Sequence, residues 1–301
     1  MKICKQGIEL YQLELDQALV DCGMSYLFHL EDGRFFLIDG GYFTPGEESR
    51  LLGWLKDLTP FGEKPVIAGW FFSHAHQDHI GNFLQFVQKY QGQVEIQMLY
   101  YQFQPMDFSK VSGDWREKCN DLATVQEFYR TLEQECHAIP VHILHTGERF
   151  SIGGLDFEVL YTAEDLYPEE ASFNDYSAVI TVTADGQKIL FLGDIGQKAS
   201  QILLDRKKDH LSSDLVQVSH HGFSGATKEL YEATGAKVLL WPSADFVLRE
   251  NQNTAVNRYL LRELDVKEHL VSGTGTVRLE LPYKIHTAYR YPKQFFHLTD
   301  R

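Results

Sequence analysis

The sequence predicts an α/β sandwich, two sheets packed face to face with helices on their outer sides. Three observations carry that expectation. A strand, an Asp-Gly turn and a second strand occur twice in the chain; each copy is followed by a helix-like segment; and each such segment leads into a further strand that ends in histidine. No Pro/Gly/Ser-rich linker or low-complexity tract divides the chain. Residues 1–301 are therefore expected to form a single domain with two similar halves, approximately 15–145 and 146–285.

Taken in chain order, the first copy is SYLFHLEDGRFFLIDGG, Ser25 to Gly41. Asp-Gly between two apolar, aromatic or β-branched runs signals a hairpin, because the turn needs positive φ angles that these two residues tolerate. Leu51, Leu52, Leu55 and Leu58 then follow helical spacing, and Val66 to Ser73 reads as a strand leading to His74. Ile80, Phe83, Leu84 and Val87 start a helix directly afterwards. Trp115, Cys119, Leu122, Val125, Tyr129, Leu132 and Cys136 mark a longer amphipathic helix whose stripe is expected to face the core. The second copy, SAVITVTADGQKILFLGD, runs from Ser177 to Asp194. A helix over Gln197 to Arg206 and a strand over Asp214 to Ser219 follow it and lead to His220 and His221.

With 44% apolar and 23% charged residues the chain has the makeup of a globular protein with a sizeable core. A formal charge of −14 argues against a polyanionic partner, since non-specific nucleic-acid affinity comes from Lys and Arg neutralising phosphates. Arg206-Lys207-Lys208 is too short to offset that excess. The start, MKICKQGIELYQLELDQ, places acidic and amide residues where a secretory signal needs an apolar centre. No stretch approaches the roughly 20 apolar residues of a membrane span, so the expectation is a cytoplasmic protein without a membrane partner. Cys4, Cys22, Cys119 and Cys136 lie far apart with no CxxC pair, which indicates neither a disulfide framework nor a thiolate zinc site.

The chemistry concentrates in HAHQDH, residues 74–79. In an extended segment residues two apart point the same way, so His74 and His76 can address one point beyond the strand end. Asp78 and His79, at the turn into the helix, can address a second point nearby. Imidazole nitrogens and carboxylate oxygens are the donors that zinc, manganese and iron favour. Two adjacent dications repel, so an anion is needed between them, and Asp194 at the end of LFLGD is the natural bridge.

HAHQDH resembles the HxHxDH signature of the metallo-β-lactamase superfamily of metal-dependent hydrolases. LIDGG (37–41), LGD (192–194) and SHHG (219–222) follow in that superfamily's order, and the likeness covers approximately residues 15–280. The resemblance implies a four-layer αββα sandwich of two mixed β-sheets. TGERFSIGGLDFEVLY (146–161), NDYSAV (174–179) and GDIGQKASQILL (193–204) are most similar to a branch that includes the hydrolase domain of DNA-uptake competence proteins and the phosphorylcholine esterases of teichoic acid.

Carried over position by position, the resemblance implies one metal held by His74, His76 and Asp194, and another held by Asp78, His79, Asp194 and one of His220 or His221. His220 is favoured as the ligand because it comes first after the strand, with His221 behind it, but spacing leaves the choice open. Asp39 matches a carboxylate that orients a ligand histidine; it equally suits the start of the Gly40-Gly41 turn. One departure stands out. Many relatives supply a further histidine where this chain has Phe173-Asn174-Asp175-Tyr176, so the first ion is expected to have fewer protein ligands; His137, His142 and His145 are not recruited in its place.

The implied function is hydrolysis, with one or two divalent ions, zinc foremost and manganese or iron as alternatives, generating a hydroxide nucleophile. Asp78 is the expected orienter or proton acceptor and His221 the expected proton donor to the leaving group. The expected substrate is a small molecule with an ester-type bond, a phosphodiester in first place; a lactone, thioester or β-lactam on the same site is the alternative. A non-catalytic metal-binding or sensor protein with a degenerate centre is the reading from another class. LYYQFQPMDF (99–108) is expected to line the pocket, and Asn251 or Asn253 to approach it. Oligomeric state is not encoded legibly.

Overall fold

The computed structural model describes residues 7–14, 23–103, 108–167 and 169–285. Among them, two mixed sheets stand face to face with helices outside, the α/β sandwich implied by the sequence. The first sheet contains β1 (Glu9–Gln12), β2 (Tyr26–His29), β3 (Phe35–Ile38), β4 (Val66–Phe72), β5 (Glu95–Ile96), β6 (Leu99–Tyr101), β7 (Val141–Ile143) and β15 (Val277–Glu280). Its order is β15-β1-β2-β3-β4-β6-β7, with β5 also paired to β4. The second contains β8 (Arg149–Ile152), β9 (Leu155–Tyr161), β10 (Val179–Ala184), β11 (Gln187–Phe191), β12 (Leu215–Gln217), β13 (Val238–Trp241) and β14 (Glu268–Val271), in the order β14-β13-β12-β11-β10-β9-β8.

The repeated pattern has a topological counterpart. β2 and β3 pair antiparallel, α1 (Glu47–Leu58) crosses over, and β4 returns parallel to β3. β10 and β11 likewise pair antiparallel, α4 (Gln197–Lys207) crosses over, and β12 returns parallel to β11. Asp185 at φ 48° and Gly186 at φ 79° form the two-residue turn between β10 and β11, and positive φ at both positions matches the twist of a tight hairpin.

Between the sheets the strands bury aromatic residues against one another: Tyr26 and Phe191 meet edge to face with ring centroids 5.0 Å apart, and Phe36 approaches Phe157 to 4.5 Å in a tilted pair. Gly69 in β4 is obligatory there, since a Cβ would come within 2.6 Å of Phe36 and 2.8 Å of Tyr100. On the outer face of the first sheet, Trp70 and Phe72 of β4 pack against Phe83 of α2 (Gln77–Tyr90) and Phe128 of α3 (Trp115–Gln134). The apolar stripe expected on α3 is only partly inward. Thr124, Val125, Phe128 and Thr131 are its buried residues, while Trp115 is 70% exposed and Cys119 is exposed. The first turns of α3 reach past the sheet, so their apolar side chains have no core to enter.

α5 (Lys228–Thr234), α6 (Asp245–Asn251) and α7 (Ala255–Arg262) complete the second half. No helix among the described residues is long and apolar enough to cross a membrane.

Candidate metal centre

The chemistry-bearing loops all leave the carboxyl ends of parallel strands, where an α/β sheet opens its crevice. Asp39 follows β3, His74 and His76 follow β4, Asp194 follows β11, and His221 follows β12. His76 is the N-cap of α2, which places Asp78 and His79 in the first helical turn. Gly193, at φ 54°, lets the chain pass so closely that a Cβ would lie 2.9 Å from Ser177 and 3.1 Å from Ser73, and this delivers Asp194 into the gap between the two sheets.

Two groups of donors converge there. Asp78, His79, Asp194 and His221 offer ligand atoms within 4.8 Å of one another, and so do His74, His76 and Asp194. Asp194 belongs to both. Its Oδ2 lies 3.1 Å from His79 Nε2, 3.3 Å from His221 Nε2 and 4.0 Å from His74 Nε2. His74 Nε2 and His76 Nδ1 are 2.9 Å apart, and His221 Nε2 lies 3.2 Å from both His79 Nε2 and Asp78 Oδ2.

The other nitrogen of each ring is already engaged. Ser73 Oγ donates to Asp39 Oδ2 at 2.7 Å, so towards His74 Nδ1, 3.1 Å away, it acts as acceptor. Asp39 Oδ2 lies 2.8 Å from His79 Nδ1, the carbonyl of Pro242 lies 3.0 Å from His221 Nδ1, and Asp121 Oδ1 lies 3.3 Å from His76 Nε2. When those outer nitrogens carry the only proton of each ring, the inner nitrogens of His74 and His76, and of His79 and His221, turn their lone pairs on one another across about 3 Å. Neither oxygen of Asp194 makes a hydrogen bond although both are buried. A buried carboxylate left unpaired costs more than the roughly 1–3 kcal/mol of a neutral group. A cation resolves both problems, and the donor set fits divalent zinc, manganese or iron.

Electrostatics agree. Burial alone would depress the His79 imidazole, but the carboxylates of Asp194 and Asp39 outweigh it and hold the group at about 10. Burial likewise opposes the charged form of His221, and Asp194 and Asp78 lift it well above the usual imidazole range. Asp194 is held well below the ordinary carboxylate value, against its burial, by His221 and His79. His74 is pushed well down by burial and by the neighbouring His79 and His76. The surrounding carboxylates thus favour a cation among these rings, a proton on His79 and His221 in the metal-free chain and a metal ion in its place when one is bound. Backbone strain converges here too: Asp39, His220 and His221 all hold φ near 54°, each at a cost of about 1–3 kcal/mol.

The structure brings together His74, His76, Asp78, His79 and Asp194, and it differs from the sequence reading in which histidine of the pair joins them. His221, not His220, enters the four-donor group. Both residues of the 219–222 turn are left-handed, which swings the second ring inward and leaves the first on the rim, where His220 Nε2 meets Asn174 Nδ2 at 3.3 Å. His221 thus sits among the candidate ligands and not on the rim, where a proton donor to a leaving group is expected. Asp39 accepts from the Ser73 backbone N–H and hydroxyl and lies beside His79 Nδ1, while its φ of 54° also starts the Gly40-Gly41 turn, so both readings of this residue have a counterpart in the structure.

A cavity of about 500 Å³ opens over the centre. Of the 99–108 stretch expected to line it, the described residues do not reach the wall, since Leu99–Tyr101 form β6 and Phe103 packs on Phe128, and residues 104–107 lie outside the described residues. α3 takes that place, with Glu117, Asn120, Asp121 and Thr124 lining the cavity beside Tyr42, Phe173 and Asn174, and no Lys or Arg joins them among the described residues. Asp121 was missed at the sequence level because nothing local links it to His76. Asn251 turns back to the Val247 carbonyl, and it is Asn257 that braces the loop, donating to Gly222 at 2.5 Å. Asn253 is absent from the cavity wall. His142 and His145 pair with Glu148 and Glu164 instead.

Comparison with solved structures gives the same fold. YhfI of Bacillus subtilis, a metallo-β-lactamase fold protein, aligns with a TM-score of 0.56 at 14% identity, over 91% of this chain and 99% of its own. A diphosphatase of the PhnP family aligns at 0.52 and 14% identity, over 90% and 97%. Zinc-bound PqqB of Methylobacterium extorquens aligns at 0.50 and 12% identity, over 86% and 87%. No curated protein sequence matches. The sequence model of the metallo-beta-lactamase superfamily matches residues 20–240, a span that contains every residue of the cluster, and the chain belongs to that superfamily.

Proposed function

We propose that the protein is a metal-dependent hydrolase of a small ester-type substrate, with a phosphodiester foremost. The observation that carries this is Asp194, a buried carboxylate with no hydrogen bond on either oxygen, set between two imidazole clusters whose outer nitrogens are all engaged. His74, His76 and Asp194 would hold one divalent ion, and Asp78, His79, Asp194 and His221 the other. When bound, such ions make a hydroxide nucleophile accessible near neutral pH and polarise the substrate oxygen under attack.

The chain's own groups do the rest. Asp39, Ser73, Asp121 and the Pro242 carbonyl fix the imidazole tautomers. Asp78, on the cavity wall and 3.2 Å from His221, is placed to orient the nucleophile and accept its proton. The cavity admits a small molecule, and its acidic wall disfavours a polyanion such as nucleic acid. The fold is shared with a diphosphatase, which supports phosphoester chemistry, and the resemblance of residues 146–161, 174–179 and 193–204 to competence proteins and phosphorylcholine esterases favours that branch.

Elemental analysis of protein purified without chelator, followed by assays on phosphodiester, lactone and β-lactam substrates, tests the proposal. At least one equivalent of zinc, manganese or iron is expected, together with phosphodiester turnover that is lost in the His76→Ala/Asp194→Ala double variant. Metal-free protein, or turnover that survives the double substitution, would remove it. Metal without turnover on the whole panel would favour a sensor.

A further inference from the structure

The two donor groups are unequal. One gathers four side chains and the other three, with Asp194 counted in both. First-row cations take at least four donors, water included, and among the described His, Cys, Asp and Glu residues the His74/His76 side supplies three. Asn174 offers a further oxygen nearby. Its Oδ1 is buried and makes no hydrogen bond, and the residue lines the same cavity as His76 and Asp78. The preceding residue, Phe173, stacks on the His76 ring with centroids 4.7 Å apart, which seats Asn174 beside the three-donor group.

The amide is oriented, not loose. His220 Nδ1 lies 3.2 Å from the Ser224 carbonyl, which can only accept, so Nδ1 carries the proton and Nε2 is an acceptor. Asn174 Nδ2, 3.3 Å from that Nε2, is then the donor, and the amide oxygen is turned away from His220. The segment itself is clamped. Asp175 Oδ1 accepts from the backbone N–H groups of Gly196 and Ala199, and Asp175 Oδ2 accepts from the Ser172 hydroxyl. This ties the 174–176 turn to the start of α4, two residues beyond Asp194. A buried amide oxygen with no partner, held in one orientation by a rim histidine and anchored to a ligand loop, is otherwise a cost of about 1–3 kcal/mol without return.

We propose that Asn174 Oδ1 is the fourth donor of the His74/His76/Asp194 site and that His220 acts as its positioning residue. This rests on the two-ion centre proposed above. An amide oxygen is a harder and weaker donor than imidazole. The three-donor side should thus hold its ion more weakly than the four-donor side and tolerate manganese better relative to zinc.

Metal-free full-length protein titrated with cobalt, zinc and manganese, followed by cobalt d–d absorption, calorimetry and manganese paramagnetic resonance, reads both sites without turnover. Wild type should show two constants at least about tenfold apart. Asn174→Ala should weaken only the weaker site, by about tenfold or more, and Asn174→His should tighten zinc there by a similar factor while lowering its preference for manganese. His220→Leu should reproduce part of the Asn174→Ala loss. Circular dichroism of each metal-free variant establishes folding, and Asn174→His serves should Asn174→Ala not fold. Unchanged constants in a folded Asn174→Ala, or in Asn174→His, overturn the assignment while leaving the two-ion centre intact. A wild type that binds no divalent ion overturns both.

Discussion

Asp39 and Asp194 occupy equivalent places in the two halves, each just past the second strand of a hairpin and each almost wholly buried. Their chemistry differs. Asp39 accepts from the Ser73 backbone N–H at 2.8 Å and the Ser73 hydroxyl at 2.7 Å, and faces His79 Nδ1 at 2.8 Å. Asp194 makes no hydrogen bond at either oxygen and faces three imidazoles. Burial holds the Asp39 carboxyl above its ordinary value, whereas His221 and His79 keep that of Asp194 far below it despite its burial. On the proposed function, similar places in the two halves serve once to aim a ligand and once to be one. A hydrogen-bonded carboxylate is saturated and can only position its neighbours; an unsaturated one keeps lone pairs for a cation.

The largest contrast is expected from removing the unsaturated member. Asp194→Ala should abolish turnover by about 10³-fold or more, because both donor groups lose their shared oxygen. An ion at 1,000 times its dissociation constant stabilises the fold by about 4 kcal/mol. Wild type should therefore gain several degrees of thermal midpoint on metal addition and Asp194→Ala almost none. A midpoint in Asp194→Ala that still climbs with metal as wild type does would deny Asp194 its bridging place.

Asp39→Asn should do less, and by a different route. Asn tolerates the positive φ at this position, so the turn survives. The amide, however, presents N–H groups where Ser73 and His79 need an acceptor, which drives the His79 proton to Nε2, the nitrogen that should stay bare. Metal affinity should fall about 10–100-fold, with the thermal midpoint still responsive at higher metal concentration. Calorimetric titration separates the outcomes: a complete loss like that of Asp194→Ala would make Asp39 a ligand, and no loss would make it a mere turn former.

What was legible in the sequence follows from the range over which each residue acts. His74, His76, Asp78 and His79 were readable because a strand end and a helix start fix their directions within six residues. The repeated hairpin was readable because alternation and Asp-Gly turns are local. The choice between His220 and His221 was not, since it depends on two consecutive left-handed residues that no spacing rule foresees. Asp121 was hidden because its approach to His76 depends on how α3 lies over the sheet. The same placement left Trp115 and Cys119 exposed although they fell on the apolar stripe.

The smallest effect concerns how each half braces its histidine. In the first half a carboxylate holds His79; in the second, the Pro242 carbonyl holds His221 and the Trp241 ring underlies Gly222, where a Cβ would lie 3.1 Å away. Trp241 Nε1 donates to His269 Nδ1 at 3.0 Å, so that nitrogen must be unprotonated. Burial lowers the His269 imidazole to about 4, from 6.5 in the unfolded chain. Above pH 6.5 neither state binds the proton and stability is full. As pH falls from 6.5 towards 4 the unfolded chain takes up a proton that the folded one refuses, and stability declines. From pH 7 to pH 5 the loss should be about 1–2 kcal/mol, allowing for the ring's partial exposure. Urea midpoints of the metal-free protein, compared with those of His269→Phe, measure it: the slope with pH should flatten in the variant, and equal slopes would place the acid sensitivity elsewhere. His74, which burial also pushes well down, adds a like decline in the first half, so it is the difference between wild type and His269→Phe that isolates the share of the His221 side.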